Sequence, residues 1–283
     1  MRKLLITGCN GQLGRALNEE YKTDDVEITN TDVDTLDISD LDTVMRFVRE
    51  TKPDVILNCG ALTAVDLCET KQDEAFLANA IGPRNLSIAA KETGAKLVQI
   101  STDYVFSGEG EENRPYVETD RPDPHTVYGA TKLAGERFVE QFAERYFMIR
   151  TAWLYGEGKN FVGTMLRLAE KNDTVRVVSD QLGTPTSATE LAKLIHVLEP
   201  TDNYGLFHGT CEGSCSWADF AVEIFRQAKK QVHVEYITTE EFAAAAPRPA
   251  YSILDNRMLR MTTDFQMADW HDALAEYMKR RNV

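Results

Sequence analysis

The strongest constraint on the fold is a regular alternation of short apolar runs with longer segments of helical periodicity through residues 1–150. Buried parallel strands are short and apolar, whereas amphipathic helices repeat apolar residues every three or four positions. Strands and helices alternating at this spacing predict βαβ units with right-handed crossovers. The predicted strands are Lys3–Thr7, Val26–Thr29, Val55–Asn58, Lys96–Ser101 and Tyr146–Arg150, and the predicted helices are Gln12–Tyr21, Leu41–Thr51, Gln72–Thr93 and Thr126–Glu144.

The alternation becomes less regular after residue 150. The predicted elements there are the helices Phe161–Lys171, Thr189–Leu198, Trp217–Ala228 and Trp270–Arg280 and the strands Val175–Val178 and Val232–Ile237. We therefore expect an α/β protein with a Rossmann-type, doubly wound parallel sheet in residues 1–150 and a smaller α/β substrate lobe in residues 151–283. The two lobes are allowed to interleave.

Charge and hydropathy exclude several classes of partner. Lysine and arginine total 31 against 45 aspartate and glutamate residues, and the net charge of −14 opposes a surface that follows nucleic-acid phosphates. The first apolar run is too short for a signal peptide, and no run reaches the roughly 18 apolar residues of a membrane span. We expect a cytoplasmic protein that binds neither nucleic acid nor membrane.

The cysteine and histidine positions argue against a metal centre. Five scattered cysteines favour reduced thiols over a disulfide framework. Cys211 and Cys215 have no second pair at zinc-finger spacing, so two small buried thiols are the favoured interpretation. The five histidines form no His-Glu-x-x-His pattern. No metal site is predicted from these residues.

A glycine-rich turn follows the first predicted strand and opens the first helix. Gly8, Gly11 and Gly14 permit a tight turn and let the backbone approach a pyrophosphate, whose charge the helix N-terminus would meet. An acid after the second strand is expected to bind the adenosine ribose, and Asp32 fits that position. A solvated turn acid is an equally good interpretation of Asp32. In the binding role it would disfavour the 2′-phosphate of NADP.

A candidate catalytic pair lies on the fourth predicted helix. Tyr128 and Lys132 are four residues apart and share one helix face, and Thr102 lies at the end of a preceding strand. Reduction of a carbonyl by hydride requires a proton donor, and a tyrosine with a pKa of about 10 is a poor one unless a cation lowers that pKa. Lys132 supplies the cation. The order of these motifs predicts an oxidoreductase that uses NADPH or NADH.

With these motifs the chain resembles the extended short-chain dehydrogenases/reductases and, among them, the dTDP-4-dehydrorhamnose reductase family. The resemblance covers nearly the whole chain. The segments that carry it are Thr7–Gly14, Asn58–Asp66, Asn79, Ser101–Phe106, Tyr128–Glu136, Arg150–Gly156, Asn160-Phe161 and Arg248-Pro249.

The resemblance implies hydride transfer to the C4 ketone of a dTDP-linked 4-keto-6-deoxy sugar, giving dTDP-L-rhamnose with Tyr128 as proton donor. Lys132 would also hold the nicotinamide ribose, and Thr102 would bind the substrate oxygen. The expected cofactor contacts are Gly8, Gly11, Gln12, Leu13, Gly14, Asp32, Val33, Asp37, Ile38, Ala61, Leu62 and Thr63. The expected substrate contacts are Asp103, Trp153, Asn160 and Arg248, the last as a fork for the diphosphate.

Several alternatives stay open at this point. A dehydratase of the same fold carries an acid directly after the Thr-Asp pair, where this chain has Tyr104. Epimerases use the same tyrosine and lysine, and a non-catalytic nucleotide-binding subunit could retain them. Magnesium is associated with some family members, but Glu190, the candidate ligand by resemblance, is expected to be a surface helix acid. The oligomeric state is open, and a homodimer is one of the states allowed.

Overall fold

The computed structural model describes residues 1–23, 25–110, 114–242 and 246–281. Its strands are β1 (Arg2–Thr7), β2 (Val26–Thr31), β3 (Val55–Asn58), β4 (Lys96–Thr102), β5 (Tyr146–Thr151), β6 (Leu154–Tyr155), β7 (Thr174–Val178), β8 (Leu182–Gly183), β9 (Thr186–Ser187), β10 (Gly205–His208), β11 (Cys215–Ser216) and β12 (His233–Ile237). Its α-helices are α1 (Gln12–Glu20), α2 (Leu41–Thr51), α3 (Val65–Thr70), α4 (Gln72–Phe76), α5 (Gly82–Thr93), α6 (Val127–Phe142), α7 (Phe161–Leu168), α8 (Ala188–Leu198), α9 (Trp217–Gln227), α10 (Thr239–Phe242), α11 (Arg257–Thr262) and α12 (Trp270–Arg280).

Six parallel strands form the main sheet in the order β2-β1-β3-β4-β5-β10. Successive side chains of a strand point to opposite faces. In β1, Leu4 and Ile6 pack with α1 and α8 on one face, and Leu5 packs with α2, α5 and α6 on the other. The predicted doubly wound α/β fold is therefore confirmed. Because β2 and β3 lie on opposite sides of β1, the topological switch point lies at the carboxyl ends of β1 and β3.

A second apolar core lies in the later part of the chain. The parallel pair β7 and β12 and the helices α7, α9 and α12 enclose it, with Phe220 and Trp270 among its buried side chains. Strand β10 comes from the same part of the chain but pairs with β5 at the edge of the main sheet. Residues 151–283 thus build the second core and also complete the first. Among the described residues, no helix is long and apolar enough to cross a bilayer.

One predicted helix differs from the structure in a way that affects the site. The segment predicted as a single helix, Gln72–Thr93, is instead α4, a π-helical turn at Leu77–Ile81, and α5. A π turn widens the helix by one residue and often occurs at functional sites. Here it contains the buried Asn79. Periodicity alone does not reveal such a widening, because the apolar face continues on both sides of it.

Candidate active site

The glycine turn after β1 packs too tightly for other residues. Gly8 has a φ of +65°, and a Cβ on it would lie 2.7 Å from the Gly60 nitrogen. A Cβ on Gly14 would lie 2.5 Å from the Gly8 oxygen. Gly11 is the N-cap of α1 and offers no side-chain cap, unlike Thr126, which caps α6. The first N–H groups of α1 are therefore available to an anion at the carboxyl edge of the sheet.

The acid predicted for the adenosine ribose lies at the end of β2, next to this turn. One carboxylate oxygen of Asp32 accepts a hydrogen bond from the Asn10 N–H at 3.0 Å, and the other accepts from the Val33 N–H at 2.9 Å. Asp32 therefore braces the glycine turn while remaining partly exposed, and Val33 is exposed beside it. The carboxylate thus lies at the end of β2, beside the glycine turn, and its role towards a ribose stays a prediction.

The next two predicted cofactor contacts lie farther along the same loop. Asp37 accepts hydrogen bonds from the N–H and hydroxyl groups of Ser39 at 2.9 and 2.7 Å. The Ile38 side chain packs on Gly82, where a Cβ would lie 2.6 Å from Ile38 Cδ1. Ile38 also lies against Gly60. These residues extend the surface that begins at the glycine turn.

Tyr128, Lys132 and Thr102 line one cavity of about 410 Å³ at the carboxyl ends of the central strands. All three are less than one tenth exposed. The other predicted residues that line this cavity are Gly11, Gln12, Leu13, Ala61, Thr63, Asp103 and Trp153. The structure thus joins the glycine turn and the predicted catalytic pair in one concave site.

Two glycines bring α6 close to its neighbours on either side of Lys132. A Cβ on Gly129 would overlap the carbonyl oxygen of Tyr104, and a Cβ on Gly135 would overlap that of Asn79. Glycine inside a helix costs roughly 1 kcal/mol relative to alanine, so its presence requires such a contact. Neither glycine was predicted as a site residue, although a glycine inside a predicted helix is a usable signal of such a contact.

Asn79 connects the loop after β3 to α6. Its side chain accepts from the Leu62 N–H at 2.8 Å and donates to the Leu62 carbonyl at 3.1 Å and to the Thr131 hydroxyl at 3.2 Å. These bonds hold the loop that contains Ala61 and Thr63 against the helix that carries the catalytic pair. Leu62 itself is turned towards Asn79 and does not line the cavity.

Burial controls the ionisation of Tyr128 and Lys132, the predicted catalytic pair. It lowers the pKa of Lys132 to about 8, opposed by the nearby Glu136 carboxylate, and Lys132 Nζ donates to the Ile100 carbonyl at 2.6 Å. Burial also raises the pKa of Tyr128, opposed by a hydrogen bond with Thr102. The spacing of Tyr128 and Lys132 predicted that the lysine would lower this pKa, but desolvation of the buried phenol raises it instead. Tyr128 is therefore protonated in the site described here.

A buried ion pair lies behind Lys132. Glu136, one helical turn along α6, receives two hydrogen bonds from the Arg150 guanidinium at 2.9 and 2.7 Å. The same carboxylate accepts from the Ser101 hydroxyl at 2.5 Å. Because Lys132 also binds the Ile100 carbonyl, α6 holds the end of β4 at two successive residues. This arrangement fixes the position of Thr102.

A second cavity, of about 390 Å³, adjoins the first. The two share Asp103, Tyr104, Trp153 and Trp217 as lining residues, and the second has mainly apolar walls with Arg248 among its polar groups. A continuous site with one polar reacting end and one apolar end suits an elongated ligand that carries an aromatic base.

The Asp103 carboxylate has an unusual environment between the two cavities. Its Oδ1 accepts from the Thr102 hydroxyl at 2.9 Å, whereas its Oδ2 is buried and forms no hydrogen bond of normal geometry among the described residues. The Ser252 hydroxyl is near enough to the carboxylate to favour its ionised form. Burial raises the pKa of Asp103 to about 6. An unsatisfied buried acceptor is costly and requires an explanation, which a ligand hydroxyl would supply.

Comparison with known proteins identifies the family. The family model described as RmlD substrate binding domain matches residues 1–283. The spore coat polysaccharide biosynthesis protein SpsK of Bacillus subtilis is 38% identical over 283 residues, which cover 100% of this chain and 99% of SpsK. The crystal structure of a dTDP-4-dehydrorhamnose reductase from Clostridium acetobutylicum is 50% identical with a TM-score of 0.97, covering 99% of this chain and 100% of that one.

The chain belongs to the dTDP-4-dehydrorhamnose reductase family. A further member, from Bacillus anthracis and solved in complex with NADP, is 44% identical with a TM-score of 0.95 and covers 99% of this chain and 100% of its own. These findings confirm the family predicted from the sequence motifs. They also confirm that the chain is an oxidoreductase.

Arg248 and Asn160, which were predicted to contact the substrate, already have partners within the protein. Arg248 lines the second cavity and pairs with Asp66 at 2.8 Å. Asn160 is the N-cap of α7, accepting from the Gly163 N–H at 2.8 Å, and its amide group donates to the Gly156 carbonyl and the Tyr277 hydroxyl. The structure brings Arg248 into the site but leaves Asn160 outside both cavities.

The expectation that Glu190 is a surface acid is wrong. Glu190 is 4% exposed, because α8 packs its first turn inward, and its carboxylate binds Lys193 at 2.5 Å and the Ala268 N–H at 3.2 Å. Among the residues that the structure describes, no group of three or more His, Cys, Asp or Glu side chains could hold a metal ion. Cys211 and Cys215 are buried, as predicted.

Proposed function

We propose that the chain reduces the C4 ketone of dTDP-4-dehydro-6-deoxy-L-hexose, or dTDP-4-dehydrorhamnose, to dTDP-L-rhamnose, with NADPH or NADH as reductant. One observation carries the proposal: buried Tyr128, Lys132 and Thr102 share a cavity with the glycine turn. This cavity continues into a second one that includes Arg248. The names of the reductases that resemble this chain over nearly their whole length support the same substrate.

The glycine turn fits a dinucleotide. The uncapped first turn of α1 offers N–H groups, and the absence of side chains at Gly8 and Gly11 leaves the backbone accessible to a pyrophosphate. Asp32 would accept hydrogen bonds from the adenosine ribose, and Lys132 would donate to the nicotinamide ribose. When bound, the dihydronicotinamide supplies a hydride to the ketone carbon.

The protein supplies the proton and holds the substrate. Tyr128 gives its hydroxyl proton to the ketone oxygen as negative charge develops there. The Thr102 hydroxyl, which donates to Asp103 Oδ1 in the structure, would turn to donate to the same ketone oxygen when substrate binds. Asp103 accepts from a sugar hydroxyl through the oxygen that has no other partner. The cationic Lys132 stabilises the phenolate that remains on Tyr128. Each of these groups comes from one chain, so a homodimer would use the same chemistry.

Arg248 is the proposed diphosphate ligand. Its guanidinium lies at the apolar cavity and carries five donors in a fork that matches phosphate oxygens. Asp66 holds it in place at 2.8 Å and is half exposed, so this ion pair can give way to a doubly charged ligand. We also propose a cytoplasmic location, which the five unpaired cysteines support.

An assay with the dTDP-linked 4-keto-6-deoxy sugar and each reduced cofactor tests the function. We expect one cofactor molecule to be oxidised for each sugar reduced. The loss of nicotinamide absorbance measures cofactor oxidation, and chromatography of the sugar nucleotide measures sugar reduction. Turnover of the sugar without oxidation of cofactor would identify an epimerase. Binding of both ligands without any turnover would identify a regulatory subunit, and either result would overturn the proposal.

The role of Asp32 is tested by cofactor preference. Asp32→Asn removes the negative charge that would face a 2′-phosphate, so the ratio of kcat/KM for NADPH to that for NADH should rise about tenfold. Asp34→Asn is the matched control, since Asp34 is exposed on the same loop and should leave the ratio unchanged. An unchanged ratio in Asp32→Asn would place Asp32 away from the ribose.

A further inference from the structure

Trp153 has a backbone conformation that its surroundings must hold in place. It follows β5, and its φ of +47° lies in the left-handed region, which bulky side chains rarely adopt. Such a residue costs of the order of 1–3 kcal/mol and persists only where neighbouring contacts determine it. The contacts that hold Trp153 are therefore informative about its role.

The first contact is a stacked pair of indoles. The rings of Trp153 and Trp217 have centroids 3.6 Å apart and planes inclined by 7°. Phe161 packs against Trp217 with its centroid at 4.6 Å and an angle of 50°, so the second indole is itself supported. The stack leaves both tryptophans only partly buried, unlike Trp270 in the second core.

The second contact is the backbone of Gly183. A Cβ on this residue would overlap the Trp153 indole and lie 2.6 Å from its Nε1. Any side chain at position 183 would therefore displace the ring. A left-handed backbone conformation is not the reason for glycine at this position, because Gly183 is not among the glycines with positive φ.

The two contacts belong to one rigid unit. Gly183 in β8 is the antiparallel partner of Cys215 in β11, and Trp217 begins α9 directly after β11. Ser216 and Asp219 form a capping box at this helix start, with the Ser216 hydroxyl donating to Asp219 at 2.6 Å. The ladder and the cap fix the distance between the glycine backbone and the second indole, and Trp153 contacts both.

The position of this unit gives it a functional meaning. Both indoles line the cavity that contains Tyr128 and also the apolar cavity that contains Arg248. The sugar of an elongated sugar nucleotide would lie at this junction, between its reacting carbonyl and its diphosphate. A ring wall that moved would change the distance from the carbonyl to the Tyr128 hydroxyl.

We propose that Trp217 and Gly183 are positioning residues that clamp the Trp153 indole as a wall for the sugar ring of the substrate. This inference rests on the proposed function. The clamp aligns the sugar carbonyl with Tyr128, and a misplacement of about 1 Å at such a site can cost roughly 100-fold in rate. Loss of the clamp should therefore act on the sugar nucleotide and leave binding of the nicotinamide cofactor unchanged.

Three variants test the clamp by kinetics. We expect kcat/KM for the sugar to fall about 10- to 100-fold in Trp217→Ala and Gly183→Ala, mainly through kcat, with an unchanged Kd for the cofactor. Trp217→Phe restores a stacking ring and should recover most of the loss. Trp270→Phe is the matched control, because it changes a tryptophan in the core outside both cavities.

Circular dichroism provides a readout that does not depend on turnover. Two stacked indoles couple, so the wild type and Trp270→Phe should show an exciton couplet that disappears in both Trp217 variants and changes in Gly183→Ala. Addition of dTDP-L-rhamnose should perturb the wild-type couplet, because the sugar contacts Trp153.

The outcomes separate this inference from the proposed function. If the wild type does not turn over the keto sugar, the proposed function fails, and the response of the couplet to dTDP-L-rhamnose still decides for or against the clamp. If the wild type is active but a folded Trp217→Ala has an unchanged KM and kcat, the clamp is refuted while the function stands.

Discussion

The two ends of the parallel sheet each carry a cavity, and the larger one is not the candidate active site. The cavity at the amino ends of the strands has a volume of about 990 Å³ and includes Arg2, Arg49 and Lys96 in its lining. The cavity with the catalytic pair, at the carboxyl ends, has a volume of about 410 Å³. Size alone would select the wrong end.

Three of the cations at the amino end already have partners. Arg2 pairs with Glu199 at 2.9 Å, and Arg49 binds Glu92 through two bonds of 2.6 and 3.0 Å. Lys96 donates to three backbone carbonyls after α8, the shortest at 2.6 Å. These contacts account for the three positive charges without a ligand, because each side chain joins neighbouring segments at the amino-terminal edge of the sheet.

The carboxyl end instead buries charges that the protein leaves partly uncompensated. Lys132 donates to one carbonyl and forms no ion pair among the described residues, and one Asp103 oxygen has no partner there. Desolvated groups without full compensation destabilise a fold, so they persist where a ligand uses them. An unpartnered buried oxygen is not unique to this end, since Glu199 Oε2 at the amino end also lacks a partner among the described residues. The carboxyl end differs because a desolvated lysine, a tyrosine and a threonine share one cavity with the glycine turn there, and this grouping, rather than volume, marks the candidate site.

The largest expected effect is at Tyr128. Tyr128→Phe removes the proton donor while retaining the ring, so kcat should fall by roughly 10²–10⁴ and cofactor affinity should be unchanged. Steady-state kinetics and a cofactor titration measure the two quantities. Turnover equal to that of the wild type would show that Tyr128 does not supply the proton.

Asp103→Asn should stabilise the protein. The pKa of Asp103 is about 6 in the folded state and 3.8 in the ordinary, exposed state. As the pH rises from 3.8 to about 6, the unfolded chain therefore ionises first, and the stability of the folded wild type falls. The variant should gain up to about 3 kcal/mol in unfolding free energy at pH 7 and little near pH 4, while losing activity. Urea unfolding of both proteins at pH 7 and pH 4 measures the difference in unfolding free energy. Asp54→Asn, exposed at the amino end, is the control and should show no such gain.

The pH dependence of activity should report Lys132. Because its pKa is about 8, the ammonium loses its proton above that pH, and kcat/KM should then fall about tenfold per pH unit. Lys132→Arg should have lower activity without this decline, since the guanidinium stays charged. A wild-type profile that remains flat to pH about 10 would mean that Lys132 is not required in its charged form.

The smallest effect is expected at the amino end. Arg49→Met breaks an ion pair whose two side chains are about half exposed, so the unfolding free energy should fall by less than about 1 kcal/mol. Activity should be unchanged. A tenfold loss of kcat/KM in this variant would contradict the contrast between the two ends of the sheet.

Local patterns accounted for much of the fold. The bounds of β3 and α2 agree with the prediction to the residue, because each is a strongly periodic or apolar segment between clear boundary residues. Strand β10 and helix α11 were missed because they are short and carry little periodicity. The π turn at Leu77–Ile81 was also missed, and the partners of its buried Asn79 are Leu62 and Thr131, which are distant in sequence.

The sequence by itself determined the family, through the resemblance of its motifs, and the doubly wound sheet, through the alternation of apolar and helix-period segments. It also predicted Tyr128 and Lys132 as the catalytic pair from their order and helical spacing. Tertiary structure alone decided which side chains share a cavity and how strongly burial shifts their ionisation. It brought Trp217 and Gly183 into contact with Trp153, and it placed Asn160 at the N-cap of α7. The physical reason is that desolvation and packing depend on neighbours from remote segments, which no local spacing encodes.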